Sequence, residues 1–297
     1  MNKYVYVVLV LLSTFLMGIA FPVGKMGMEY APPFFLMSIR FIAAGALLAL
    51  FLRNRQQPRG KQWLQVTLLG LFQSAGVMGC GYYSMYWITS GETAILTSSN
   101  PLIVIILSSL FLGAAYRWQQ WFGVALGFAG VAVSFGLHLT LNPGTFISIA
   151  GAACFAISTL LVKRWGAGFD MIVMAAYQML SGGIALLVLS LLTERPHFIF
   201  TGASLLIIIW LAVICSIVQF AVWYYVLSKG DPAKTSAFLF LVPLFAVISS
   251  WLLLGETITW YTAAGGMLIC VGIVLVNGMA QREAKRSHIQ DNQLATS

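Results

Sequence analysis

Residues 93–113 read TAILTSSNPLIVIILSSLFLG, and residues 235–255 read TSAFLFLVPLFAVISSWLLLG. Each is an apolar run of about 20 residues, the length that crosses a hydrocarbon core as a helix. At a fixed shift of 142 residues, Pro101-Leu102 falls on Pro243-Leu244 and Leu112-Gly113 on Leu254-Gly255. The register extends outward on both sides. Tyr82-Tyr83 falls on Tyr224-Tyr225, Gly123 on Gly265 and Gly130 on Gly272. Earlier in each half the shift is 138, so that Lys25 falls on Lys163 and Ala44-Gly45 on Gly182-Gly183. The difference of four reads as a longer connection between the second and third spans of the second half.

Working outward from these two runs, ten apolar segments can be marked: 4–24, 33–52, 64–88, 93–113, 119–138, 145–164, 171–193, 204–228, 235–254 and 260–279. Turn residues fill the short connections, among them Pro32-Pro33, Asn142-Pro143-Gly144 and Gly230-Asp231-Pro232. Strands of a membrane barrel would be shorter and alternating, so the segments predict helices. The fold expected is an all-α polytopic membrane protein. Its ten spans form two five-helix repeats, residues 1–142 and 143–280, followed by a polar tail over 281–297. Because five is odd, the second repeat enters the membrane from the opposite side. Inverted repeats of this kind underlie many secondary transporters. The first span is too long for a signal-peptide core, and no A-x-A site follows it.

The composition agrees. Of 297 residues, 60% are hydrophobic and only 8% charged, against about 25% charged in soluble domains. A net charge of +8 would suit nucleic acid, but its placement argues otherwise. With both termini cytoplasmic, the inner segments hold Lys3, Arg53, Arg55, Arg59, Lys61, Arg117, Lys163, Arg164, Lys229, Lys234, Arg282, Lys285 and Arg286. That is 13 of the 16 basic residues, a positive-inside pattern. Lys25 and Arg195 remain outside, and Arg40 lies within a span. No basic face with readout residues exists, so nucleic acid is not an expected partner.

Enzyme motifs are missing: there is no H-E-x-x-H and no phosphate-binding G-x-x-x-x-G-K-[ST] loop. His138, His197 and His288 are scattered, and Cys80, Cys154, Cys215 and Cys270 lie in four different spans. Neither a metal site, a disulfide nor a cofactor is expected.

At these residues the chain resembles the drug/metabolite transporter superfamily, in its EamA-like branch, over roughly residues 4–279. The marks are the two five-span repeats, Ser38-Ile39-Arg40-Phe41 in the second span, the Pro-Leu pairs of the fourth and ninth, and Leu254-Gly255-Glu256. Two departures stand out: Leu112-Gly113-Ala114 lacks the Glu often found there, and Met17-Gly18 stands where Trp-Gly is common. The resemblance implies a bacterial inner-membrane carrier that exports an amino acid or another small metabolite. Its pathway would be lined by spans 1, 3, 4, 6, 8 and 9. An importer, or a carrier of sugars, nucleotide sugars or drugs, is the alternative within transport. A non-transporting sensor or scaffold is the alternative outside it.

Several residues are candidates for contact with substrate. A charge in mid-span costs roughly 2.5–3.5 kcal/mol on insertion scales, so Arg40 should face protein or water. It either gates the pathway or anchors a substrate carboxylate, or it serves as a structural partner of backbone carbonyls. Gln73 and Gln219 lie deep in the third and eighth spans, and an amide in hydrocarbon needs a partner. Ser216, Gln219 and Trp223 share a face at α-helical spacing. Tyr82, Tyr83, Tyr86, Tyr225 and Asn100 complete the candidate binding set, although tyrosines near span ends also form interfacial belts. Pro101 and Pro243 are candidate hinges, because each removes a helical N–H. Gly123, Gly127 and Gly130 in the fifth span, with Gly265 and Gly272 in the tenth, offer close-packing surfaces, within the chain or between protomers of a homodimer. The carboxylates Glu29, Glu92, Glu194 and Glu256 fall near outer span ends; Glu92 and Glu256, each in a Gly-Glu-Thr triplet, either titrate if drawn inward or are helix-end charges of the kind a helix N-terminus stabilises.

Overall fold

In the computed structural model, residues 3–113, 115–134, 142–229, 238–272 and 274–275 are described. Both termini, the 281–297 tail and the Gly230-Asp231-Pro232 turn lie outside them. The described secondary structure is entirely helical. In chain order it comprises α1 (Lys3–Gly27), α2 (Pro33–Phe51), α3 (Lys61–Ser84), α4 (Ser90–Thr97 and Asn100–Leu112) and α5 (Trp118–Ser134). There follow α6 (Pro143–Trp165), α7 (Met171–Thr193), α8 (Gly202–Ile209, Trp210–Val218 and Gln219–Lys229), α9 (Leu241–Leu254) and α10 (Trp260–Gly272). Seven of these stretches are long and apolar enough to cross a membrane, while those at α9 and α10 are shorter apolar helices. The chain is a multi-pass membrane protein.

Local chemistry sets the helix ends. Pro33 opens α2 and Pro143 opens α6, where the missing N–H is one the first turn leaves unpaired anyway. Thr89 and Thr201 form capping boxes at the starts of α4 and α8. Asn142 and Asp170 cap α6 and α7 through their side-chain oxygens. Gly113 and Gly255 carry φ of +61° and +64°, a left-handed conformation that ends a helix at little cost only with glycine.

Helix α3 is expected over 64–88 but ends at Ser84, which leaves Tyr86 beyond it. The fourth span is expected to bend at Pro101, and α4 is broken at Ser98-Ser99 into Ser90–Thr97 and Asn100–Leu112. Pro101 causes the break, because it cannot donate to the Thr97 carbonyl. Residues 70–76 of α3 and 210–218 of α8 are π-helical.

Glycines set the closest packing. A Cβ on Gly45 would sit 2.6 Å from the Leu180 nitrogen, and one on Gly183 would sit 2.8 Å from that of Ile42. Helices α2 and α7 therefore cross backbone to backbone and run antiparallel. A Cβ on Gly130 would meet the Gly265 carbonyl at 2.7 Å, and one on Gly272 would meet that of Gly123 at 2.6 Å. Helices α5 and α10 pack in the same way, within one chain. One buried cluster, around Phe21, Leu36, Met37, Phe41, Met179 and Leu211, joins α1, α2, α7 and α8. A second, around Ile95, Leu102, Val124, Val131 and Ile269, joins α4, α5 and α10.

Candidate functional site

Arg40 is 3% exposed and faces the π-helical part of α8. Its Nε donates to Ser216 Oγ at 3.0 Å and one terminal nitrogen donates to the Cys215 carbonyl at 3.0 Å. The other terminal nitrogen reaches Tyr82 Oη at 3.4 Å and Met37 Sδ at 3.9 Å. The guanidinium carbon also lies 5.0 Å from the centre of the Phe41 ring, within cation–π range. Tyr82 in turn donates to the Ala20 carbonyl at 2.6 Å and stacks on Phe21. One side chain thus connects α2, α3 and α8 directly, and α1 through Tyr82. Among the described residues no carboxylate is one of its partners. Removing a charge from water costs several kcal/mol, and here only dipoles and a ring offset that cost. The wide turn of a π segment, frequent at functional sites, presents the carbonyl that does so.

Gln219 begins the second α-helical part of α8, after the π segment. Its side-chain nitrogen is buried without a hydrogen-bond partner, and its backbone carbonyl accepts from Ser13 Oγ of α1. Trp223 lies one α-helical turn further on and is half-buried. Upstream of Gln219 the π turns direct Cys215 and Ser216 towards Arg40. Gln73, in the π segment of α3, accepts a hydrogen bond from Ser158 of α6. Half-buried Asn100 and Pro101 occupy the first turn after the break in α4. Just before the break, the Thr97 hydroxyl is buried without a partner. Pro243 lies in the first turn of α9, which follows the 3-10 turn Phe238–Phe240.

The tyrosines separate into two environments. Tyr82 is buried with Arg40. Tyr83 stacks on Phe34 at 5.0 Å and meets Tyr86 and Trp87 edge-on, a cluster at the end of α3. Tyr86 and Tyr225 are 57% and 49% exposed. The structure joins Arg40 and Tyr82 and places Gln219 one turn beyond them. Tyr86 instead packs with Tyr83 and Trp87 beyond the end of α3.

The acids lie at helix ends. Glu194 accepts from the Phe34 and Phe35 nitrogens at the start of α2. Glu92 completes the capping box of Thr89. Glu256 accepts from the Ser90 nitrogen at 3.0 Å and from Ser90 Oγ and Lys25 Nζ at 2.9 Å each. Burial raises the Glu256 pKa, but the Ser90 nitrogen, the Lys25 ammonium and the Ser90 hydroxyl together bring it below the usual glutamate value. The Lys25–Glu256 pair is not evident from the sequence, because 231 residues separate its members; the one signal is that both fall near span ends expected on the same side of the membrane. Among the described residues no three His, Cys, Asp or Glu side chains converge as metal ligands would.

The EamA-like transporter family matches this chain twice, over residues 5–136 and 142–278. The chain belongs to that family. The uncharacterized transporter YvbV of Bacillus subtilis (strain 168) is 27% identical over 267 residues, covering 88% of this chain and 87% of YvbV. The uncharacterized inner membrane transporter YedA of Escherichia coli (strain K12) is 28% identical, covering 87% and 86%. A WAT1-related chloroplastic protein of Arabidopsis thaliana is 29% identical, covering 90% of this chain and 68% of its own. A solved crystal structure, 20% identical, covers 92% of this chain and 98% of its own with a TM-score of 0.63. At that identity it shares the fold alone.

Proposed function

We propose that this protein is a secondary carrier of the inner membrane that exports a small metabolite such as an amino acid. Alternating access between two inverted five-helix halves, with both termini in the cytoplasm, would move it. One observation carries this reading: helices at equivalent places in the two halves pack against each other with exchanged partners. Gly45 meets Leu180 and Gly183 meets Ile42, and both pairs of residue numbers are related by the shift of 138. Gly130 meets Gly265 and Gly272 meets Gly123, both related by the shift of 142. Two halves related in this way can exchange conformations, which turns an outward-open state into an inward-open one.

The reading places substrate between the halves, near the unpartnered amide of Gln219 and the cluster around Arg40. Gln73, Trp223 and Asn100 serve as further polar and aromatic contacts. Charge placement supports the orientation, because 13 of the 16 basic residues fall on one side. The test is flux from proteoliposomes across a broad metabolite panel, with and without a pH gradient. Saturable efflux of one chemical class is expected. Absence of saturable flux for every class, with the protein inserted and folded, would overturn the reading.

A further inference from the structure

Where α1, α4 and α9 meet, charges close one end of the bundle. Lys25 stands in the last turn of α1, and its ammonium lies 2.9 Å from Glu256 and 3.4 Å from the Ile88 carbonyl. The carboxylate of Glu256 covers the N-terminus of α4, where it accepts from the nitrogens of Ser90 and Gly91 and from Ser90 Oγ. Ser90 also exchanges a hydrogen bond of 2.8 Å with Ser250 of α9. Each charge stands where a helix dipole favours it: the cation at a C-terminus, the anion at an N-terminus. With side-chain exposures of 29% and 12%, the pair is shielded enough to escape most of the screening that weakens a surface pair.

The corresponding positions in the other half lack this chemistry. Shifted by 138, Lys25 falls on Lys163; shifted by 142, Glu256 falls on Ala114 and Ser90 on Pro232. Alanine offers no carboxylate, and proline offers neither an N–H nor a hydroxyl. Lys163, in the last turn of α6, is exposed. Among the described residues it makes no ion pair, since the two pairs present are Lys25–Glu256 and Arg55–Asp170.

We infer that Lys25, Glu256 and Ser90 form a one-sided latch that holds the outer ends of α1, α4 and α9 together, so that the resting carrier is closed to the outside. A carrier with matching latches on both faces would have no preferred side from this source. A latch on one face must be broken for the outward-open state, and among the described residues no equivalent ion pair stands on the other face. A state is favoured only by interactions that the other state lacks. The inference rests on the transporter reading for its meaning, but its test does not depend on substrate.

The experiment places a reporter cysteine at Ala94, fully buried one turn below Ser90, in the full chain with its four native cysteines replaced by alanine. A membrane-impermeant maleimide is added to the outer face of oriented proteoliposomes. Glu256→Gln and Lys25→Gln are each expected to raise the labelling rate roughly tenfold, the effect of a difference near 1.4 kcal/mol. Lys163→Gln, the corresponding lysine without a latch, should leave the rate within about twofold of the parent. If Glu256→Gln does not fold, Lys25→Gln tests the same contact from the other side. An unchanged rate in the folded variants, or an equal rise for Lys163→Gln, overturns the latch. A labelling shift with no flux for any metabolite class leaves the latch standing and removes the transporter reading; flux with no labelling shift does the reverse.

Discussion

The two halves of the molecule agree in backbone packing and disagree in charge. Gly45 and Gly183 make reciprocal contacts, as do Gly130 and Gly272. Gly113 and Gly255 end their helices with the same left-handed turn, and the π segment of α3, shifted by 142, falls within that of α8. Against this, Arg40 shifted by 138 falls on Gln178, Glu256 shifted by 142 falls on Ala114, and Ser90 falls on Pro232. The comparison teaches a division of labour. Close packing needs the same small residues wherever two backbones touch, so it is written twice. Charge inside a membrane is costly, and Arg40 and Glu256 each stand in one half alone, with Gln178 and Ala114 at the corresponding places.

The packing side of the comparison breaks with the largest expected effect. Gly45→Leu and Gly183→Leu each drive a side chain into backbone atoms that cannot rotate away. Overpacking of this kind costs about 1–3 kcal/mol or more, and here two helices must separate. Loss of monodisperse protein on size exclusion in detergent is expected for both, to a similar degree. Gly202→Ala, with nothing within 4 Å of the added carbon, should leave abundance unchanged. A well-folded Gly45→Leu variant would mean that α2 and α7 do not approach as closely as described.

The charged side is tested at Arg40. Arg40→Ala removes the partner of Ser216, Cys215 and Tyr82 at once and should reduce flux at least tenfold while inserted protein persists. Arg40→Gln is the sharper variant, because it installs the residue type that the second half carries at the same place. Since Arg40 has no ion pair among the described residues, neutralising it strands none of their charges, and the amide retains hydrogen-bonding capacity. The expected outcome is a thermal midpoint within a few degrees of the parent and flux still reduced about tenfold. Full flux for Arg40→Gln at normal abundance would show that Arg40 serves as a strut whose charge is unimportant to transport.

The helical fold was legible in the sequence because it rests on apolar length and on charge placement. The family was legible because its marks fall in fixed order, as the two matches over 5–136 and 142–278 agree. The break in α4 was only partly legible. Pro101 announces an interruption, but it opens a new helical segment in place of bending a continuous one. The π segments were not legible, since hydrophobic periodicity in a helix that is apolar all round says nothing of turn width. For the same reason the α-helical face drawn through Ser216, Gln219 and Trp223 holds from Gln219 onward and is rephased upstream. Arg40 was legible as a charge in a span, but its neutral partners on other helices arise from α3 and α8, which no local pattern encodes.

The smallest expected effect lies at the second ion pair, Arg55–Asp170, and it sharpens what makes Lys25–Glu256 different. Asp170 caps α7 by accepting from the nitrogens of Ile172 and Val173 and takes a 2.9 Å hydrogen bond from Arg55. Burial raises its pKa, but the Arg55 hydrogen bond and the two nitrogens outweigh that and hold it below the ordinary aspartate value of 3.8. A lowered carboxylate pKa means that the stabilisation is fully present above 3.8 and is lost as pH falls through the lowered value. Yet the Arg55 side chain is 51% exposed, so the ion pair itself is worth about 0–1 kcal/mol and is screened by salt. The cap is worth about 1 kcal/mol and asparagine preserves it. Thermal midpoints in detergent at pH 7 should therefore fall in a fixed order: Arg55→Gln and Asp170→Asn by little, Asp170→Ala by more, with 0.5 M salt shrinking most of the first two effects and only the ion-pair part of the third. Below the lowered pKa the parent should behave like Asp170→Asn. A drop for Arg55→Gln as large as that for Asp170→Ala would show that a half-exposed pair here matters as much as the cap. Exposure would then no longer separate Arg55–Asp170 from the shielded Lys25–Glu256 pair.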